Sequence, residues 1–272
     1  MSLFDYLAIG HVTHDRTPAG TTIGGTVAYA GRTAEALGCR TAVVTSAGPE
    51  CDLTGAFAGI TVKNVAAAHT TTFENQYDEE GRQQRIEQIA GSLSAADVPA
   101  AWQRASIVHL APVAAEVDPD LVTLFSNSLV GLTPQGWLRA WDEDGRVYAR
   151  AWKGARETMP LAAAVILSEE DVPDPALLEE YRQWARLLVV TRGALGCTVY
   201  LGDESETFTA PTVTARDVTG AGDIFAAAFL IRLYQTKGNP WEAATFANEL
   251  AARSVTQPDL ASKIAHLERV RG

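Results

Sequence analysis

Cysteine is scarce in this 272-residue chain, and Cys39, Cys51 and Cys197 are scattered, with no C-x-x-C pair. That excludes a zinc ribbon, a thioredoxin-type motif and a disulfide framework, and it fits small buried hydrophobes in a reducing compartment. No apolar run approaches the roughly 18 residues that a membrane span needs. Met1–Leu7 has no basic start and contains Asp5, so no signal peptide is expected and a cytoplasmic location is. Positive charge is also short: 22 Lys+Arg against 33 Asp+Glu leave a net charge of −11. An acidic surface repels nucleic-acid phosphates and anionic lipid, so neither is an expected partner, and any anionic ligand must be drawn by a local site.

Several signatures are missing as well. There is no G-x-x-x-x-G-K-[ST], no G-x-S-x-G and no H-E-x-x-H. Gly220-Ala221-Gly222 is followed by Phe225 where a dinucleotide fingerprint needs its third glycine. His11, His14, His69, His109 and His266 are too dispersed for a local metal motif. Gly 22 and Pro 12 are ordinary proportions, which excludes collagen-like and low-complexity classes.

What remains is an α/β rhythm. Short apolar runs at Tyr6–Ile9, Thr41–Thr45, Ile107–Leu110, Leu129–Leu132, Ala163–Leu167 and Leu187–Thr191 read as strands covered on both faces. Between them, helices are expected from Gly24-Gly25 to Leu37, over about 117–126, and over Asp174–Trp184. The last third reads as helix: Gly220–Tyr234, apolar nearly all round and hence buried, then a helix opened by Asn239-Pro240-Trp241-Glu242, then one after Pro258. Thr70–Tyr77 and Arg82–Ile89 flank an acidic, Gly-containing turn and read as a hairpin. With the polar stretch 11–22 it makes a small sheet projecting from the body.

The stretch that carries chemistry is Ala215 to Phe225. A β-branched segment, Thr212–Val218, leads to Gly-Ala-Gly at the mouth of a buried helix, where unpaired N–H groups carry partial positive charge. Small residues there let an anion touch the amides. Asp223, within the first turn, cannot bind a phosphate, so its expected task is to take a proton. An anion hole beside a base is what phosphoryl transfer requires. On spacing alone, a plain glycine loop with an acidic first-turn residue is an equal alternative.

Asp217-Val218-Thr219-Gly220-Ala221-Gly222-Asp223-Ile224-Phe225 closely resembles the second signature of the ribokinase-like (PfkB-type) carbohydrate kinases, D-[TV]-[TV]-G-A-G-D-x-F. Gly24-Gly25 with Ala28, Ala30 and Leu37-Gly38 is similar to the family's N-terminal G-G helix. Thr191-Arg192-Gly193-Ala194-Leu195-Gly196 resembles its T-x-G-x-x-G nucleotide loop, and Phe246-Ala247-Asn248 to Ala252 its C-terminal helix beside the adenine. The resemblance runs in order over nearly the whole chain. It implies one domain over 1–272, a three-layer α/β/α sandwich with a mostly parallel central sheet, and a small β-sheet lid formed by segments of about 11–23 and 61–90. It implies an ATP- and Mg²⁺-dependent kinase acting on a hydroxyl of a small neutral polyol, a sugar or a cyclitol such as myo-inositol. Asp223 would be the base, with the amides of Gly220, Ala221 and Gly222 as the anion hole. Thr191, Gly193, Gly196, Ser168 and Asn248 would line the nucleotide, and Asp15, Gly24, Gly25, Tyr29 and Gln135 the acceptor. Glu170 and Asp171 would support Mg²⁺ indirectly.

The chain departs from that pattern in places. Tyr29 stands where many members have Asn, and offers a ring to a sugar, a cyclitol or a nucleoside base. Ser168-Glu169-Glu170-Asp171 replaces N-x-x-E, and Leu132-Thr133-Pro134-Gln135 stands where D-P-N is common. Arg139 falls two places later than the family's arginine, so no substrate-phosphate site is expected. Gly10 to His14-Asp15 is similar to the myo-inositol kinase-like branch. Two rival functions follow: a nucleoside kinase, and a catalytically silent polyol or nucleotide sensor. Asp15 is equally a turn residue, Gly193 and Gly196 equally a hairpin turn, and Asn248 more often a satisfied amide. Monomer and homodimer are both compatible with an open-edged lid.

Overall fold

The computed structural model describes residues 2–18, 20–78 and 81–271, with no account of side chains over 76–82 or 270–271. Nine strands form the central sheet in the order Glu204–Phe208, Cys197–Leu201, Leu188–Thr191, Ala164–Ser168, Leu129–Leu132, Ile107–Leu110, Tyr6–Ile9, Thr41–Ala47 and Thr61–Ala66. Pairings are parallel from Leu188–Thr191 to Thr61–Ala66 and antiparallel for the last two strands at the other edge. The apolar runs explain this. In Tyr6–Ile9, Tyr6 and Ala8 enter one core while Leu7 and Ile9 enter the other, because successive side chains leave opposite faces. Each face is therefore covered, which makes three layers.

Thr26–Ala36, Ala221–Gln235, Pro240–Ser254 and Leu260–Arg271 pack on one face, and Pro175–Trp184 on the other. From Ile224 to Ile231 every residue of Ala221–Gln235 is buried, as its unbroken apolar sequence requires. Asn239 caps Pro240–Ser254 by accepting from the Trp241 and Glu242 amides, and Asp174 caps Pro175–Trp184 by accepting from Ala176.

A second sheet, in the order Gly20–Gly24, Thr13–Thr17, Thr71–Asp78, Gly81–Gln88, projects over the strand ends. Its turn residues Glu79 and Glu80 lie outside the described residues. Thr61–Ala66 is not part of it: that segment pairs with Thr41–Ala47 at the edge of the large sheet, so the projecting segments are shorter than the expected 61–90. A small core of Phe73, Ile86, Val113 and Ala114, backed by Trp141 and Val147, holds the second sheet to a hairpin, Arg139–Trp141 with Val147–Ala149. That hairpin and the strand Glu204–Phe208 carry no apolar run and escape sequence reading.

One other expectation changes. Residues 117–126 give only a 3₁₀ segment, Pro119–Leu124, because six residues between Asp118 and Phe125 cannot repay the nucleation of a longer helix. Thr212–Val218 forms no strand. It is mostly exposed and is tied down where the Arg216 and Asp217 amides donate to Val255 O.

Candidate active site

The helix Ala221–Gln235 starts at Gly220, whose φ of 74° lies in the left-handed region. A Cβ at Gly220 would sit inside the Tyr29 ring, so backbone conformation and close approach both demand glycine. A Cβ at Gly222 would meet nothing within 4 Å, so the space in front of the first turn is open. The Ala221 amide donates to Val218 O at 3.2 Å and is therefore shared.

Asp223 is the third residue of this helix, accepting a hydrogen bond from Thr26 at the start of the N-terminal helix. Burial pushes its carboxyl up to about 6, the Asp15 and Asp171 carboxylates add to the rise, and the Thr26 hydrogen bond and the Arg139 charge oppose it. Asp15, Asp171, Arg139 and Asp223 thus share one electrostatic neighbourhood although the sequence spreads them over 208 positions, from 15 to 223. Arg139, two places late in the sequence, still brings its charge to Asp223.

On the acceptor side, Asp15 accepts from the Thr13 hydroxyl at 3.1 Å. A Cβ on Gly24 would overlap the Asp15 carboxyl, and one on Gly25 (φ 88°) would overlap His11 O. The Gly24-Gly25 pair is what lets the second sheet pass directly into the helix. Beneath it, Glu116 is buried and accepts from the His11, Val113 and Ala114 amides, while the buried His11 ring bonds Thr71 Oγ1 (2.7 Å) and Gly91 O (2.7 Å). Gln135 donates to Asp171 at 3.4 Å, and Arg139 lies 3.8 Å from the same carboxylate. A cavity of about 270 Å³ opens beside Arg139 and Asp171, bounded also by Gln84, Arg146, Tyr148 and Glu170.

Tyr29 does not face that space. Its ring is 6% exposed and lies against Gly220, and burial holds its phenol above the usual range, with the Asp223 carboxylate adding to the effect. It props the glycine turn, and neither a sugar face nor a nucleoside base can stack on it as it stands.

The residues expected along a nucleotide lie at the ends of neighbouring strands. Thr191 donates to Leu167 O at 3.3 Å, and Ser168 Oγ accepts from the Glu170 amide, capping the short 3₁₀ turn Glu169–Asp171. Gly193 (φ 53°) and Gly196 (φ 92°) flank the turn between antiparallel strands, so the hairpin reading of this pair is fulfilled. Gly196 abuts Phe208 O, whereas a Cβ at Gly193 would meet open space. Asn248 is 5% exposed and donates to Phe208 O (3.2 Å) and Cys197 Sγ (3.4 Å), a satisfied internal amide.

Among the described residues no group of three or more His, Cys, Asp or Glu could cage a metal. His109 is a core residue between Tyr6 (2.7 Å) and Thr133 (2.9 Å), kept neutral by burial, which lowers its pKa to about 3. No described helix is long and apolar enough to cross a membrane.

Sequence reading missed Thr26, Glu116 and Lys263. Lys263 is fully buried on the C-terminal helix and donates to Asp217 O (3.0 Å), Asp217 Oδ2 (2.8 Å) and Thr219 O (2.6 Å). Burial alone would raise the Asp217 carboxyl, but the Lys263 hydrogen bond and those of Thr219 outweigh it and hold it below the usual carboxylate range. One signal was available: Lys263 shares its helix face with the core residues Ile264 and Leu267, where a charge is out of place.

The profile of the pfkB family carbohydrate kinases matches residues 160–266. Escherichia coli fructokinase is 28% identical over 162 residues, 53% of this chain and 51% of the fructokinase. The chain thus spans about half the length of the curated relative it matches. Among solved structures, a pyrophosphate-dependent kinase of the ribokinase family, complexed with a pyrophosphate analog and myo-inositol, superposes with a TM-score of 0.79 at 22% identity, over 93% of this chain and 96% of that one. Ribokinase from Arabidopsis thaliana, complexed with ribose and ATP, gives 0.72 at 17% identity over 98% and 99%. The fold is ribokinase-like.

Proposed function

We propose that this chain, which carries the profile and the fold of the pfkB family carbohydrate kinases, phosphorylates a hydroxyl of a small neutral polyol, a sugar or a cyclitol. The observation that carries the reading is the half-buried Asp223 carboxylate, pushed up to about 6, beside an open glycine helix start. A base with that affinity for protons is deprotonated at neutral pH, yet holds a proton more firmly than an ordinary carboxylate.

In this reading Asp15 and Gln135 orient the acceptor, and Arg139 and Asp171 border it. The acceptor oxygen attacks the terminal phosphorus of the donor while its proton passes to Asp223. The bond from phosphorus to the donor's leaving oxygen breaks as the new one forms. The amides of Gly220, Ala221 and Gly222 meet the charge on the moving phosphoryl group. ATP is the proposed donor, with Thr191, Gly193 and Ser168 beside it. Mg²⁺, when bound, neutralises donor phosphate charge. Glu170 and Asp171 fit a magnesium ion that arrives with phosphates and water, since Mg²⁺ needs only one or two carboxylates and no protein cage.

A second donor, inorganic pyrophosphate, is favoured by one observation. Asn248, expected beside an adenine, has spent its amide on Phe208 O and Cys197 Sγ. The test is phosphorus NMR of reactions pairing ATP or pyrophosphate with inositols, hexoses, pentoses and nucleosides. A phosphomonoester of a neutral polyol is the expected product. Phosphorylation of nucleosides alone, or of no acceptor with either donor, would refute the reading in favour of a nucleoside kinase or a silent sensor.

A further inference from the structure

Lys263 is the only fully buried charged side chain among the described residues, and no step of the phosphoryl transfer uses it. Burying an ammonium costs several kcal/mol unless its three protons are matched. Here all three have oxygens, and all three oxygens belong to Asp217 and Thr219, immediately before Gly220. The Thr219 carbonyl and the Gly220 N–H share one peptide plane. In a trans peptide the two point in opposite directions. Fixing the carbonyl on Lys263 at 2.6 Å therefore fixes the direction of the Gly220 N–H, and a carbonyl bonded to a cation polarises the N–H across the same plane. Tyr29 closes the arrangement: its ring lies against Gly220, with the Lys263 ammonium 5.9 Å from its centroid.

We infer that Lys263 is a positioning residue, a built-in cation that aims the Gly220 amide at the transferred anion. The inference rests on the kinase reading above for its kinetic consequence, though not for its anion-binding one. Without the ammonium, three oxygens, one of them charged, would face each other in a buried pocket. The loop would turn its carbonyls elsewhere, and the Gly220 amide would turn with them. A small free cation could re-enter the vacated space.

The test compares Lys263→Met and Lys263→Ala with the wild type. In both variants kcat is expected to fall by about 10- to 100-fold, the scale of a misaimed anion hole, with the acceptor KM within about threefold. Ammonium or methylammonium at tens of millimolar should restore part of the kcat of Lys263→Ala and leave wild type and Lys263→Met unchanged. A purely structural lysine would lower melting temperature without that rescue. Calorimetric binding of inorganic pyrophosphate gives a readout independent of any acceptor, and should weaken in Lys263→Ala and recover with ammonium. Full kcat in folded Lys263→Met, or a loss in Lys263→Ala that neither ammonium nor methylammonium repairs, overturns the inference. Should both lysine variants fail to fold, Asp217→Asn keeps the shape and removes one charge. It should lower kcat at constant acceptor KM, and unchanged kcat would overturn the inference. A wild type that binds pyrophosphate without phosphorylating any acceptor refutes the kinase reading while leaving Lys263 to the binding test. A wild type that binds neither pyrophosphate nor ATP refutes both.

Discussion

Asp223 holds its proton up to about pH 6 because the carboxylate is shielded from water and has two acidic neighbours, while one hydroxyl and one arginine oppose them only in part. The sign of the pH effect follows. As the base, it works when deprotonated, so kcat/KM should rise with pH through about 6 with unit slope and level off above it. Stability runs the other way. The folded state binds the Asp223 proton more tightly than the unfolded chain, whose aspartate titrates near 3.8. Between those values stability falls as pH rises, and above about 6 the whole penalty is present. Asp223→Asn should therefore stabilise the protein at pH 7.5 by about 1–3 kcal/mol, with the gap gone below about pH 4, as denaturant melts at both pH values would show. At this scale the sequence singled out Asp223 and Asp15 by type and spacing, and the fold brings their charges within reach of each other. It was not legible at Tyr29, whose ring turns inward under Gly220, nor at Glu116, which ties its own loop's Val113 and Ala114 amides to the distant His11 amide.

At the level of the element, the start of Ala221–Gln235 carries two glycines with different reasons. Gly220 is held in the left-handed region against Tyr29, so Gly220→Ala should cost about 1–2 kcal/mol in backbone strain alone, and more from the clash. Gly222 faces open space, so Gly222→Ala should leave the melting temperature nearly unchanged, within about 0.5 kcal/mol, yet lower kcat because the new methyl enters the space meant for the phosphoryl group. Thermal melts and steady-state rates on the two variants separate fold from function. Equal loss of stability in both would contradict the placement of the anion. The apolar strands and the capped helices were readable because burial on both faces and Asn239-Pro240 leave direct marks in the sequence. The hairpin Arg139–Trp141 with Val147–Ala149 left none, since its strands are three residues each and half-exposed. It nonetheless delivers Arg139 to the site.

For the whole molecule, the ordering idea is a parallel sheet whose strand ends gather residues far apart in sequence, under a small sheet held by its own minor core. The projecting sheet was visible as polar, turn-bounded segments breaking the α/β rhythm. Its true extent was not, because Thr61–Ala66 alternates like an exposed strand whichever sheet it joins. Acceptor binding between the two sheets should stabilise the entire fold: at about 100 times its Kd, a true acceptor should add about 2.7 kcal/mol, read as a thermal shift absent with non-substrates. The same assay shows whether Asp223→Asn still binds its ligands.

That control gives the decisive measurement its meaning: the turnover of Asp223→Asn with the acceptor and donor that wild type uses, at pH 7.5 and saturating concentrations. A fall of about 10² to 10⁴-fold with ligand-induced thermal shifts retained is the expected result. Turnover within a few-fold of wild type would contradict Asp223 as the base, and with it the account of this site.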